Sequence, residues 1–318
     1  MIKKKFYLLF LLFLLIEIYP PTAHAFWMWT PETNQWINPK YAVKETPAEQ
    51  LAYGLEFYNA RQYKEAIREF GKLIRHYPRA REAPDSQYYI GQSLQALGKP
   101  FGAFKSYQKV VEKYPFSERS AEIVRLQYDI GVQLLEGNNE RGVMKTVLGN
   151  EYDVVDIFKT VIKNAPYGEL APPAQYKIAL YLQEKGLFQE ARDEFEKVMN
   201  DYPESEWAKA AHFQIAMTDA KRSTDAQYDQ KVTQAAVQEF EKFAAANPGA
   251  ELSKQAKEKI SELREKEAEN SFLVAQFYEK QKNYKAAKIY YQTIVDDYKN
   301  TKWAQKALAR IAQLSQKE

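Results

Sequence analysis

Few residues in this chain have the types and spacing that catalysis requires. The 318 residues include three histidines and no cysteine, and neither His76 nor His212 has a second histidine or a cysteine nearby in the sequence. A metal cluster, or a nucleophile with its base, needs several such groups close together. No glycine-rich phosphate loop is present, and the paired carboxylates Asp296 and Asp297 are more simply a solvated helix end. We therefore expect a protein that is not an enzyme, with no catalytic residue, metal or cofactor.

The charge balance narrows the classes of partner. The formal net charge is +3, from 45 basic and 42 acidic residues. A nucleic-acid-binding protein shows a strongly basic face or domain. We therefore expect protein partners, with no nucleic acid and no small-molecule substrate.

The predicted helices end repeatedly in the same short sequence pattern, which closes with proline. Proline cannot continue a helix and pushes the residue before it out of the helical region, so each proline stop marks a helix end. The stops are Arg75-His76-Tyr77-Pro78, Glu112-Lys113-Tyr114-Pro115, Lys163-Asn164-Ala165-Pro166, Asn200-Asp201-Tyr202-Pro203 and Ala246-Asn247-Pro248, with Asp297-Tyr298-Lys299 in the sixth place. A unit that ends in this way every few dozen residues is a repeat, which favours a binding scaffold over an enzyme.

Small and aromatic residues stand at fixed distances before four of these stops. In the first unit Gly54, Ala66 and Phe70 lie 24, 12 and 8 residues before Pro78. The same positions are taken by Gly91, Ala103 and Tyr107, by Ala179, Ala191 and Phe195, and by Ala275, Ala287 and Tyr291. Small residues let two antiparallel helices approach closely, while the aromatic ring fills the space beside them. This spacing is the 34-residue tetratricopeptide (TPR) pattern.

The pattern predicts an all-α fold, a right-handed α-solenoid of about six TPR-like helix pairs over residues 46–316 with a C-terminal capping helix at 301–316. The predicted repeats are 47–80, 83–117, 120–168, 171–205, 208–249 and 252–300. Two of them carry extensions, at 137–152 and 220–231, for which longer helix pairs and inserted binding loops are both open. The apolar spacing through Lys254–Glu269 predicts one long helix entering the sixth repeat.

In TPR proteins a ligand peptide usually lies in the concave groove formed by the first helices of successive repeats. Tyrosine and glutamine suit an extended peptide, because they offer hydrogen bonds to its backbone and flat surface to its side chains. The alternative is that single tyrosines pack between helices. The predicted groove residues are Leu55, Tyr58, Tyr88, Gln92, Gln95, Tyr176, Gln183 and Gln276.

The first 25 residues have the pattern of a secretory signal peptide. Lys3-Lys4-Lys5 is followed by the apolar run Phe6–Ile16 and by Ala23-His24-Ala25, a small-x-small cleavage site. We predict export to the periplasm with cleavage after Ala25. An uncleaved anchor is the alternative, although the apolar run is short for a span of about 20 residues.

The extended segment 26–45 that follows is rich in aromatic residues, including Trp27, Trp29 and Trp36. Tryptophan favours the boundary between lipid headgroups and hydrocarbon, so a membrane or partner contact is one prediction for these rings. The other is that they cover the exposed end of the first repeat.

Two segments resemble the BamD family, the helical-repeat lipoproteins of the outer-membrane β-barrel assembly machinery. They are Tyr63-Lys64-Glu65-Ala66-Ile67-Arg68-Glu69-Phe70 with its Tyr77-Pro78 stop, and Val274–Lys280 followed by Tyr284-Lys285-Ala286-Ala287. The resemblance covers roughly residues 46–316. The family carries a lipidated cysteine just after its signal peptide, where this chain has Phe26-Trp27-Met28-Trp29.

The resemblance implies a periplasmic scaffold that takes part in the assembly of β-barrel proteins into the outer membrane. Its amino-terminal repeats would receive the aromatic carboxy-terminal signal of unfolded clients, and its carboxy-terminal repeats would dock on the barrel insertase. Without the cysteine, the protein would be associated with the outer membrane peripherally, through partners. The alternative function is a soluble periplasmic TPR adaptor of the Tol-Pal or peptidoglycan machinery.

Overall fold

A computed structural model describes residues 27–30, 35–37, 42–140, 154–225 and 230–315. In these ranges two strands and thirteen helices form. They are β1 Met28–Thr30, β2 Gln35–Ile37, α1 Pro47–Asn59, α2 Tyr63–His76, α3 Ala83–Ala96, α4 Pro100–Lys113, α5 Ser120–Glu140, α6 Val154–Asn164, α7 Ala171–Glu184, α8 Phe188–Asp201, α9 Glu206–Asp225, α10 Gln230–Ala246, α11 Glu251–Lys280, α12 Tyr284–Asp297 and α13 Lys302–Ser315. None of the helices described has both the length and the apolar character needed to cross a bilayer. The predicted signal peptide lies outside the described residues.

The helices form two compact units, residues 1–106 and 107–318. In the first unit α1 packs on α2, and α2 on α3; α1 also contacts α3. In the second unit each helix from α5 to α13 packs on the next, and α7 also contacts α9. This arrangement of consecutive helix pairs confirms the predicted all-α solenoid class.

The helix ends follow from the stops seen in the sequence. Tyr77, Tyr202 and Tyr298 each follow the last residue of a helix, and each donates its backbone N–H to the carbonyl four residues earlier, at 2.7, 3.1 and 3.0 Å. At the other end, α1, α3 and α7 begin with proline in the first turn, where no intrahelical N–H is lost.

The turn inside each gap-free repeat has a shared backbone conformation that the sequence analysis missed. Gly98 and Gly186 adopt φ values of 69° and 76°, and Arg61 and Lys282 adopt 59° at the corresponding positions of their repeats. Glycine takes this left-handed conformation freely, whereas arginine and lysine adopt it at a cost. Each of these turns therefore reverses the chain in the same way, so that the second helix runs antiparallel to the first.

The predicted small and aromatic positions form the core. Ala66, Phe70, Ala191, Phe195 and Tyr291 are fully buried. The glycine at position 54 is needed for the packing, because an added Cβ would lie 2.5 Å from Cε1 of the buried Phe70 ring. These contacts set how closely α1 and α2 approach.

The long helix predicted through Lys254–Glu269 is confirmed as part of α11, which runs for 30 residues. Its first half places Ala256 and Leu263 in a core shared with α9 and α10. Its second half places Phe272 and Ala275 in a core shared with α12 and α13. One helix therefore belongs to two successive cores.

The helix α13 packs on α12 and α11 through an apolar face and an ion pair. Ala307 and Leu314 are fully buried in the core. The Arg310 guanidinium pairs with the Glu279 carboxylate of α11, and the Tyr291 hydroxyl of α12 donates to the same carboxylate at 3.0 Å. Burial, together with this carboxylate, raises the pKa of Tyr291 to about 12. The phenol therefore stays protonated and keeps donating.

Where the repeats are stretched, the first helices α5 and α9 are longer than the first helices of the first, second and fourth repeats. The helices α5 and α9 have 21 and 20 residues, whereas α1, α3 and α7 have 13 or 14. They take up residues 137–140 and 220–225 of the predicted extensions. The parts at 141–152 and 226–229 lie outside the described residues.

A matched pair of glycine substitutions tests the close approach of α1 and α2. We expect Gly54→Ala to lower the free energy of unfolding by about 1–3 kcal/mol, because the methyl group collides with a buried ring. Gly71→Ala, where an added Cβ meets nothing within 4 Å, should instead raise it by about 0.5–1 kcal/mol through helix propensity. Urea unfolding of both variants measures the difference, and equal effects would contradict this packing.

Candidate functional site

Five of the predicted groove residues lie on two neighbouring helices of the first unit. Leu55 and Tyr58 are one turn apart on α1, and Tyr88, Gln92 and Gln95 lie on α3, which α1 contacts. The structure thus brings these residues together. All except Tyr88 are partly exposed.

An aromatic side chain that the sequence analysis missed joins the two helices. The Tyr89 ring of α3 lies 5.2 Å from the Tyr58 ring and 5.3 Å from the Tyr88 ring, between centroids. It also stacks on the core residue Phe70 at 5.5 Å. Tyr58 and its neighbours are therefore supported from the core.

Polar groups complete this surface. The buried Tyr88 accepts a 2.9 Å hydrogen bond from the Gln92 amide, so its hydroxyl already has a hydrogen-bond partner within the chain. Burial raises the pKa of Tyr58, and its phenol stays neutral. We refer to the partly exposed Leu55, Tyr58, Gln92 and Gln95 as the amino-terminal surface. It offers phenol and amide groups beside an aromatic platform, which is chemistry that fits an extended peptide.

The two groove residues predicted on α7 lie inside the protein. Tyr176 and Gln183 are only 8% and 5% exposed. The Tyr176 ring lies 5.1 Å from the Trp207 ring of α9. The Gln183 amide donates to the Thr218 hydroxyl at 2.7 Å and accepts from the Lys221 ammonium at 2.6 Å. Both residues therefore connect α7 to α9, and a ligand contact for them stays a prediction.

Buried polar pairs within repeats were also missed. Gln50 of α1 donates to the Glu69 backbone carbonyl of α2 at 3.1 Å, and Gln87 of α3 bonds the Ser106 hydroxyl of α4. In both of these repeats the glutamine lies four positions before the small core residue of the first helix, which is Gly54 or Gly91. That spacing is the signal that would have revealed the pairs.

A cleft lies beside the third stop in the second unit. Its volume is about 350 Å³. It is lined by Ser120, Ala121, Val124, Arg125, Asn164, Ala165, Gly168, Glu169 and Leu170. The Asn164 amide donates to the Gln127 and Gln108 side-chain oxygens, both at 2.8 Å, and so ties α6 to α5 and α4. The asparagine of this stop therefore has a structural role.

An exposed apolar patch lies on α11 and α12. Leu273 and Phe277, one turn apart on α11, are 56% and 57% exposed. The Phe277 ring lies 5.7 Å from the Tyr278 ring, which stacks on the partly exposed Tyr290 of α12 at 5.3 Å. Exposed apolar patches of this kind often mark interaction sites. We call Leu273, Phe277, Tyr278 and Tyr290 the carboxy-terminal patch.

The predicted residue Gln276 is partly exposed and adjoins this patch, since it follows Leu273 by three positions and precedes Phe277. The sequence analysis named Gln276 but missed the apolar residues around it. Leu273 and Phe277 stand outside the core register of the repeat, which is the signal that marks them as exposed.

Two of the three tryptophans near the amino terminus lie on a pair of β-strands, and Trp27 directly precedes the first strand. The strands β1 and β2 pair antiparallel, with Trp29 opposite Trp36. The two rings meet edge to face at 5.7 Å. Trp27, Trp29 and Trp36 are 57%, 44% and 62% exposed.

The histidines take no part in a metal site among the residues described, where no group of three or more histidine or acidic side chains could hold an ion. His76 is exposed at the end of α2. The His212 ring packs against Phe243 at 5.4 Å. Burial lowers the pKa of His212, because it disfavours the charged imidazolium.

The lowered pKa of His212 predicts a pH dependence of stability. A group whose pKa is lower in the folded state adds stability above its unfolded pKa of 6.5, and that stability is lost as the pH falls through the folded value. We expect the thermal midpoint to drop below pH 6.5, and less so in His212→Gln. His76→Gln, at the exposed position, is the matched control. An equal acid response of His212→Gln and the parent protein would contradict the prediction.

Tetratricopeptide-repeat proteins are among those similar to this chain. The profile of a tetratricopeptide repeat matches residues 85–117. Similar solved structures include a TPR repeats protein from Bacteroides fragilis, with 13% identity over 69% of this chain and 100% of that one at a TM-score of 0.45. A TPR repeat-containing protein from Cytophaga hutchinsonii is 16% identical over 83% of this chain and 88% of its own, at a TM-score of 0.37. YrrB, described as a TPR protein with an unusual peptide-binding site, is 14% identical over 67% and 93%, at 0.35.

No curated protein matches the chain. The profile of the YfiO family, described as outer membrane lipoprotein, matches residues 153–317, which is more than half of the chain. The resemblance to the BamD family is thereby confirmed, and the chain belongs to the YfiO family of outer membrane lipoproteins.

Proposed function

We propose that this protein is a non-catalytic periplasmic scaffold that takes part in the assembly of β-barrel proteins into the outer membrane. Family membership supports an envelope location and a role in protein interaction. The observation that carries the proposal is the carboxy-terminal patch, because it exposes apolar side chains within the family-matched region. The signal peptide directs export and is cleaved after Ala25.

The carboxy-terminal patch docks a folded partner, the barrel insertase or another assembly subunit. Burying a phenylalanine or leucine side chain completely contributes about 1.5–3 kcal/mol, and Phe277 and Leu273 still have more than half of their surface to bury. Aromatic anchors beside a partly polar rim are typical of interface hot spots. Gln276 provides the polar contact at the edge of this patch.

The amino-terminal surface binds an extended segment of an unfolded client. Tyr58 presents an aromatic face held by Tyr89, and Gln92 and Gln95 present amides on the neighbouring helix. A client segment that has not yet paired into a barrel exposes its backbone hydrogen-bonding groups and alternating apolar side chains. The phenol and amide groups form hydrogen bonds with the client backbone, and the aromatic rings contact its apolar side chains.

In-cell crosslinking followed by pull-down of the tagged protein tests the assembly role. We expect to recover the barrel insertase and unfolded outer-membrane proteins. Recovery of Tol-Pal or peptidoglycan-linked proteins alone would overturn the assembly role and support the adaptor function instead.

Substitution in the carboxy-terminal patch should weaken capture of the partner. We expect Phe277→Ser combined with Leu273→Ser to reduce the crosslinked yield of the insertase about fivefold to thirtyfold, which corresponds to a loss of about 1–2 kcal/mol. The control is Leu187→Ser, which changes a leucine that is 44% exposed on the turn before α8. An unchanged yield with a normal melting temperature would rule out the patch.

Substitution in the amino-terminal surface should weaken client binding. Tyr58→Ala removes an aromatic platform, and we expect the affinity for a synthetic extended peptide with an aromatic carboxy-terminal residue to fall about fivefold to thirtyfold. Tyr167→Ala, at a fully exposed tyrosine of the other unit, is the control. Fluorescence anisotropy of a labelled peptide measures both, and equal affinities would contradict the assignment.

A further inference from the structure

Two tryptophans of the amino-terminal hairpin, Trp29 and Trp36, share one face. Residues that oppose each other in a strand pair point to the same side of the hairpin, and side chains alternate along a strand. Trp29 opposes Trp36, and Trp27 precedes Trp29 by two positions. The Trp29 and Trp36 indoles therefore lie on the same side of the strand pair, and Trp27 directly precedes β1; we call these three rings the indole face.

The exposure of the indole face indicates that a binding partner covers it. Its three rings are 44–62% exposed, and they are three of the five tryptophans in the chain. A two-stranded hairpin has little stability of its own in water. Covering its apolar face would add stability that the two short strands lack.

We propose that the indole face inserts into the headgroup region of a phospholipid bilayer. An indole ring is apolar over most of its surface and carries one N–H donor, so it is most stable where hydrocarbon meets hydrated headgroups. Two such rings on one side of a hairpin, with a third next to the strand, can reach that boundary together. The chain has no cysteine that could carry a lipid in its place.

The charged residues close to these tryptophans in the sequence favour a neutral lipid surface. Residues 26–46 contain Glu32 and Glu45 against Lys40 and Lys44, and these charges cancel. Only the α-amino group exposed by cleavage after Ala25 is left unbalanced, so the electrostatic attraction to anionic headgroups is weak, about 1 kcal/mol for one charge. Binding should therefore occur on zwitterionic lipid and persist in high salt.

The size of the indole face also favours lipid over a protein. Three rings about half exposed offer roughly 400 Å², taking about 250 Å² for each complete side chain. A stable protein interface needs about 800 Å² from each partner. A bilayer imposes no such minimum, because each ring partitions into it independently.

The hairpin continues into a segment that is fastened to the first helix pair. The Lys72 ammonium of α2 donates to the Ala42 carbonyl at 3.2 Å. The Tyr77 hydroxyl donates to the carbonyls of Lys44 and Glu45 at 2.8 and 3.0 Å. A bilayer contact at the indole face would therefore tether α1 and α2 through only a few intervening residues.

Vesicle binding by the exported, purified protein tests this proposal, with its amino-terminal form checked by mass spectrometry. The parent protein should float with phosphatidylcholine vesicles at low and at high salt, and its tryptophan emission should shift to shorter wavelength. Brominated lipid should quench that emission. The triple variant Trp27→Ser, Trp29→Ser, Trp36→Ser should have the same melting temperature and a partition coefficient at least about tenfold lower.

Several outcomes would overturn the proposal. One is a parent protein that does not bind the vesicles, and another is a triple variant that binds as well as the parent. Binding that needs anionic lipid and disappears in salt would assign the contact to lysine and arginine residues. Capture of a protein at these positions by crosslinking, without lipid binding, would assign the face to a protein partner. Client binding at the amino-terminal surface is measured separately, so it can succeed or fail independently.

Discussion

The close approach of paired helices, one carrying a small residue and the other an aromatic ring, is the contact on which the remaining structure depends. At Gly54 the Phe70 ring occupies the volume that any larger side chain would need. That ring also stacks on Tyr89, which in turn contacts Tyr58 and Tyr88. The same ring therefore sets the distance between α1 and α2 and supports the amino-terminal surface, so a change in the core would displace the side chains that we assign to client binding.

The unbroken course of α11 supports the carboxy-terminal patch, as the Phe70 ring supports the amino-terminal surface. Because this helix belongs to two cores, its second half is fixed by α12 and α13 while Leu273 and Phe277 remain in solvent. The Arg310–Glu279 pair is supported by Tyr291, whose raised pKa keeps the hydroxyl a donor over the physiological pH range. The patch is therefore presented on a rigid support, which lowers the entropy lost when a partner binds.

The parts of this fold that the sequence predicts are those determined within one repeat. Proline stops, small residues and core rings follow from local helix geometry and from contacts between two consecutive helices, and the structure confirms them. The environment of Tyr176 and Gln183 depends on Trp207, Thr218 and Lys221 of the next repeat's first helix. A position in the repeat register therefore does not decide whether such a side chain is buried. The pairing of Trp29 with Trp36 could not be predicted from the sequence either, because it depends on strand register.

The two proposed contacts together would hold a member of a lipoprotein family at the membrane without a lipidated cysteine. A single acyl chain gives only marginal binding, with an association constant of about 10⁴ M⁻¹, so stable attachment normally takes two signals. In these proposals the indole face makes one weak contact with lipid, and the carboxy-terminal patch makes one contact with a protein that resides in the membrane. Where one chain makes both contacts at once, the combined affinity exceeds that of either contact alone. Loss of either contact should therefore release much of the protein from the membrane, although the other contact remains intact.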